Sequence, residues 1–188
     1  MYLFTTTRHG VPAKELQRQL GVTYKTAWRA GHEIRKFMTQ VDGNPPLSGH
    51  VEIDETRIGG KDVNTHRSRD LRPKTIVMGM VERGGNLMSR IVEGVDRKSL
   101  YPHILLHVKP AATIGTDELQ SYATLGKKGY THGTVNHSAD EYVSGIHNVN
   151  SVEGASSIVK RSIRGTHIHV SRKHLWNYLG ESRLLLSL

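Results

Sequence analysis

The sequence predicts an α/β fold preceded by a small helical segment. Over the first 41 residues the apolar side chains recur at intervals of three and four, as on one face of a helix. The run Asp42-Gly43-Asn44-Pro45-Pro46-Leu47-Ser48-Gly49 is dense in turn formers and reads as a linker. Past it the periodicity shifts toward two, giving three antiparallel-looking strands, then a helix, a strand and further helices, the pattern of a layered α/β domain.

Each element has its own signal. Ala13, Leu16 and Leu20 fall on one helical face, and Gly21 interrupts that helix. Thr23 is placed to cap a second helix, in which Ala27 and Ile34 keep the apolar period while Tyr24, Lys25, Thr26 and Arg29 point outward. Helix, Gly-containing turn and basic second helix match a helix-turn-helix, whose second helix can enter a DNA major groove; an ordinary helical hairpin would look the same. After the linker, Val51-Glu52-Ile53-Asp54 alternates like a strand. Thr75 to Val81 and Leu87 to Val92 are two more strands, joined through Gly84-Gly85 as a hairpin. Leu100 to Val108 reads as a helix, Thr113 to Thr116 as a short buried strand and Ser151 to Ile163 as a helix. Between Lys61 and Lys74 the chain carries Lys61, Arg67, Arg69, Arg72 and Lys74, too polar to pack and therefore expected to form a basic loop.

Composition narrows the function. The 188 residues hold 26 Lys and Arg against 17 Asp and Glu, a net charge of +9, which favours polyanionic partners and nucleic acid first among them. No Cys is present, so disulfides, thiolate zinc sites and Cys nucleophiles are excluded, and any metal must take oxygen or imidazole ligands. No apolar run approaches the roughly 20 residues of a membrane span, and the amino terminus lacks a signal-peptide pattern, so a soluble, intracellular protein without a membrane partner is expected.

In so basic a chain, carboxylates at strand ends stand out. Asp54 is expected to close the first strand, with Glu52 on the same face and Glu55 next to it; Asp117 closes the short strand, with Glu118 beside it. Strand ends are where an α/β sheet gathers ligands, so the two Asp could converge on one metal. In the helix that follows, Val152, Ala155, Val159 and Ile163 share the apolar face. Glu153 and Lys160 project from its edge, two turns or roughly 10 Å apart. Each residue also has a plainer reading: Asn150 and Glu153 fit a capping box, Lys160 could be solvated, and Asp54 and Asp117 could be turn residues.

The spacing joins them. Between Asp117 and Glu153 lie 35 residues, and Lys160 follows Glu153 by seven. This resembles the DD(35)E triad with a trailing basic residue of DDE transposases and retroviral integrases. More specifically, Glu52-Ile53-Asp54-Glu55-Thr56-Arg57-Ile58-Gly59-Gly60-Lys61 resembles a motif of the ISXO-like branch of bacterial insertion-sequence transposases. Thr116-Asp117-Glu118, Val135-Asn136-His137-Ser138, Glu141-Tyr142-Val143, His147 to Lys160 and Gly165 to Leu175 follow in that branch's order.

The resemblance implies a ribonuclease-H-like mixed sheet flanked by helices. It also implies Mg²⁺ or Mn²⁺, two ions held by Asp54, Asp117 and Glu153, with Asn150 the alternative third ligand. Lys160 would bind a phosphate near the cut, and Tyr24, Lys25, Thr26, Arg29, Lys61, Arg67, Arg69 and Arg161 would be further DNA contacts. The expected partners are the element's terminal inverted repeats and target DNA, with a homodimer or larger synaptic assembly, in the bacterial cytoplasm at the nucleoid.

The expected domains are a partial helix-turn-helix segment over 1–41, a linker over 42–49, a catalytic domain over 50–180 and an atypical tail over 181–188. Several departures suggest a copy truncated at both ends: no Cys-rich zinc ribbon, Arg57 where relatives carry an aromatic, Ala155-Ser156 where they carry Phe-Trp, and the unusual tail. Three functions compete: a transposase cutting and joining DNA; a truncated, catalytically impaired DNA-binding remnant that interferes with an intact transposase; and a hydrolase using His132, His137, His147, His167 and His169 as metal ligands. The histidines lack a compact pair four apart with a neighbouring Glu, which disfavours the third.

Overall fold

Residues 2–41, 45–59, 74–117, 119–135 and 149–186 are described in a computed structural model of the chain. They form two compact units, one of residues 1–43 with 157–188 and one of residues 44–156. Lys61, Arg67, Arg69 and Arg72 of the expected basic loop, with Glu118, His137 and His147, lie outside the described residues.

The second unit is built on a five-stranded sheet of β1 (His50–Ile58), β2 (Thr75–Glu82), β3 (Leu87–Val92), β4 (Thr113–Thr116) and β5 (Thr131–Thr134), in the order β3-β2-β1-β4-β5. β1, β2 and β3 are antiparallel, whereas β4 pairs parallel with β1 and β5 parallel with β4. Three antiparallel strands with two parallel ones added beside the first is the ribonuclease-H-like arrangement. The expected hairpin closes at Gly84-Gly85, where Glu82 N–H donates to the Asn86 carbonyl at 3.0 Å.

Alternation along β1 divides the sheet into two faces. Val51 and Ile53 turn toward Met78, Met80 and Ile114, and helix α4 (Arg97–His107) covers them with Leu100, Tyr101 and Ile104, all in one buried cluster. Each such side chain taken from water contributes about 1.5–3 kcal/mol. Helix α4 starts at the Asp96 cap, whose carboxylate accepts from the Lys98 N–H at 3.1 Å and the Ser99 hydroxyl at 2.6 Å.

The other face carries Glu52 and Asp54 on β1 and their cross-strand partners Val81 and Gly79 on β2. Helix α5 (Asn150–Arg161) begins over this face. Gly79 lets it approach closely: a Cβ there would lie 3.1 Å from the Val152 side chain and 3.9 Å from the Ser156 hydroxyl.

The first unit contains α1 (Tyr2–Thr5), α2 (Ala13–Leu20), α3 (Tyr24–Val41) and α6 (Arg172–Leu186). Helix α2 ends as read, on Gly21 at φ +63°, whose N–H returns to the Gln17 carbonyl. The Thr23 hydroxyl accepts from the Thr26 N–H at 3.3 Å at the start of α3. Leu16 and Ala27 are buried, but Leu20, expected on the same apolar face, is 53% exposed. It is the last residue of α2, directly before the Gly21 cap.

Helix α6 packs on α3 and sends Leu184 and Leu185 into a core with Phe4, Val11, Leu16, Ala27 and Met38. Through Leu186 the expected tail is therefore the last part of a buried helix. At its centre Glu181 meets Arg35 in a two-pronged ion pair at 2.7 and 3.3 Å, both side chains 3% exposed. Arg35 also donates to the Val11 carbonyl at 2.7 Å and lies over the rings of Phe4 and Tyr178.

Candidate active site

The sheet brings Asp54 and Asp117 together. In the parallel pairing of β1 with β4 the last matched residues are Ile53 and Thr116, so Asp54 and Asp117 are the next residues on adjacent chains. Asp54 does not close its strand as expected. β1 continues to Ile58 along β2, and it is the short β4 that ends here, so the strand end is a notch on one side of β1. In that notch the Asp117 carboxylate accepts from the Leu119 N–H at 3.1 Å, which turns the chain out of the sheet. Just behind it, the buried Thr116 hydroxyl lies 2.9 Å from His132 Nε2 on β5.

Negative charge accumulates there. Burial, reinforced by the Asp117 and then the Asp54 carboxylates, pushes the Glu55 carboxyl up to about 8. Among the described residues, Glu55 Oε1 is buried without a hydrogen-bond partner. The Asp54 and Asp117 carboxylates offer the oxygen donors that a hard divalent cation takes.

Glu153 stands in the first turn of α5 and is exposed, as is Asn150. The helix start over the Asp54 face is fixed from below by Glu52. Its carboxylate accepts from the Ser151 N–H at 2.7 Å, the Val152 N–H at 3.2 Å and the Ser151 hydroxyl at 3.0 Å. Glu52, rather than Asn150, thus takes two of the orphan first-turn donors. Among the described residues, no three His, Asp or Glu side chains are gathered closely enough to hold a metal ion as they stand. Asp54 and Asp117 are adjacent, and Glu153 does not complete a close trio with them.

Lys160 and Arg161 follow Glu153 at the carboxyl end of α5, in residues that belong to the first unit. In that unit Tyr24, Lys25, Thr26 and Arg29 are all exposed along α3, as their positions in the sequence predict. His167, one of the metal-ligand alternatives, is instead a buried neutral ring. Burial, with the Arg35 charge next, lowers it to about 3, and it packs at 4.7 Å on Tyr178.

Sequence reasoning passed over Glu52 as a working residue, although it noted the shared face. The signal was a carboxylate inside an apolar strand, which requires a buried partner. Gly79 left no trace before the register was known.

Residues 46–183 match the profile of the ISXO2-like transposase domain. No curated protein matches the chain. Among solved structures, a crystal structure of the Mos1 strand transfer complex is similar at 14% identity, over 93% of this chain and 70% of that one. Its TM-score of 0.37 is too low to build on.

Proposed function

The chain belongs to the ISXO2-like transposase family, and from that premise we propose that it cuts DNA strands and joins them by the DDE mechanism. The observation that carries this reading is the placement of Asp54 and Asp117 side by side where β4 ends. With Glu153 on the helix above the same face, they would hold one or two Mg²⁺ or Mn²⁺ ions. Such ions, when bound, activate the attacking oxygen and stabilise the leaving one.

The protein's own groups have separate tasks. Asp54, Asp117 and Glu153 would supply the carboxylate oxygens that hold the ions. Glu153 is preferred over Asn150 as the third ligand because a carboxylate neutralises the ion better than an amide. Full cleavage by Glu153→Ala, with loss in Asn150→Ala, would transfer the role. Lys160 and Arg161, with Tyr24, Lys25, Thr26 and Arg29 on α3, are assigned to the DNA backbone and grooves. Their basic and hydrogen-bonding side chains suit phosphates and base edges. Lys61, Arg67 and Arg69 are assigned to the same task from sequence alone.

The test is Mg²⁺-dependent nicking and joining of DNA that carries the inverted repeats flanking the gene. Wild type should release 3′-hydroxyl ends and join them to target, and Asp54→Ala should bind the DNA without cutting. Binding with no cutting by wild type would favour the impaired remnant.

A further inference from the structure

Glu52 stands out because it is charged, carries a side chain 2% exposed, and lies two residues before Asp54 on the same strand. Residues i and i+2 of a strand point to one face about 6.5–7 Å apart. Its carboxylate reaches off the strand to three donors at the start of α5: the Ser151 N–H at 2.7 Å, the Ser151 hydroxyl at 3.0 Å and the Val152 N–H at 3.2 Å. The Arg83 guanidinium approaches the outer oxygen at 3.4 Å from the hairpin side. Negative charge at a helix amino terminus is favourable, and bonds from backbone N–H to a carboxylate are about twice as strong as neutral ones.

We propose that Glu52 is a positioning residue: it clamps the first turn of α5 to the strand that carries Asp54 and so fixes where Glu153 stands relative to the Asp pair. This rests on the reading of Asp54, Asp117 and Glu153 as the ion-holding set. A helix resting on the sheet through apolar contacts alone could slide or rotate at little cost. Here any slide breaks charge-assisted bonds whose carboxylate has no water to turn to. Gly79 provides the second anchor, since the close approach of Val152 leaves α5 no room to sink or roll toward β2. One strand thus carries a ligand and, two residues earlier, the fastener of the helix that carries another.

The test compares Glu52→Ala, Glu52→Gln and Ser151→Ala with wild type and Asp54→Ala. It reads amide hydrogen exchange along the chain, DNA affinity, and the Mg²⁺ concentration giving half-maximal nicking. In Glu52→Ala the Ser151 and Val152 amides should exchange at least about tenfold faster, and half-maximal nicking should need about tenfold more Mg²⁺. Protection of Ile53 and Met80 in the sheet, and DNA affinity, should hold. Glu52→Gln, which keeps an acceptor, should recover part of both effects. Ser151→Ala, at an exposed position, should shift them the same way by about threefold.

Wild-type exchange at Ser151 and Val152 in Glu52→Ala would overturn the clamp. Equal loss of protection in α5 and the sheet, in Glu52→Gln as well, would also overturn it, since the residue would then be a general brace. If Asp54→Ala still nicks while Glu52→Ala loosens only α5, the catalytic reading falls and the clamp stands.

Discussion

Among the described residues, Glu181 in the helical unit and Glu55 in the sheet unit sit in opposite electrostatic company. In the helical unit Glu181 faces Arg35, bound through two nitrogens, and the pair is completed by the Val11 carbonyl. In the sheet unit Glu55 stands near Asp117 and Asp54, and burial, then their charge, pushes it up to about 8. A carboxylate matched to a guanidinium belongs to the architecture. Burial and neighbouring carboxylates instead hold Glu55 toward its protonated form.

The sharpest way to break the contrast is to neutralise one acid in each place. Asp54→Asn or Asp117→Asn should abolish strand cleavage to background while the chain stays folded, as judged by circular dichroism and a gel assay of nicked DNA. In the helical unit the same kind of change should act on stability instead. Arg35→Ala leaves Glu181 buried without its partner and should cost about 3–5 kcal/mol in a denaturant titration. Replacing both residues, Arg35→Met with Glu181→Leu, should recover most of that loss. A double variant as unstable as the single one would show that the pair is not the reason Arg35 matters.

Acid should separate the two regions further. His32 and His167 are buried in the helical unit and lowered to about 4 and about 3, His32 by burial and then the His174 charge, His167 by burial and then Arg35. The unfolded chain takes up these protons near 6.5, and the folded chain declines them until much lower pH. Stability contributed by the neutral rings is therefore present above about pH 6.5 and lost progressively as pH falls toward 4 and 3. The urea midpoint should drop between pH 7 and pH 5, and His167→Gln should flatten that slope.

The smallest effect should come from the start of α3. Thr23→Ala removes the hydroxyl that receives the Thr26 N–H and should cost about 1 kcal/mol, with no change in metal dependence.

How much of this the sequence disclosed follows from physics that acts locally or does not. The two helices on either side of Gly21, the Gly84-Gly85 hairpin and four of the five strands were legible because periodicity and turn chemistry are local. β5 was not, since Thr131-His132-Gly133-Thr134 has no apolar run and exists as a strand only through its pairing with β4. The end of α6 hid for a related reason: Glu181 and Arg183 fell in the expected atypical tail, and their partners on α3 make them interior. Asp117 could be named from its spacing to Glu153 and Asp54 from its strand and motif, but their adjacency came from a parallel register that the sequence does not print. That Glu52 needed a buried partner was readable, but which partner was not until α5 was seen above it.

The central claim is that Asp54 and Asp117 act as one cation-holding pair, and Mn²⁺ titration followed by electron paramagnetic resonance tests it most directly. Wild type should remove Mn²⁺ from the free signal, and Asp54→Asn and Asp117→Asn should each lose that binding, with the double variant no worse than either single one. Undiminished Mn²⁺ binding in the double variant would contradict the account.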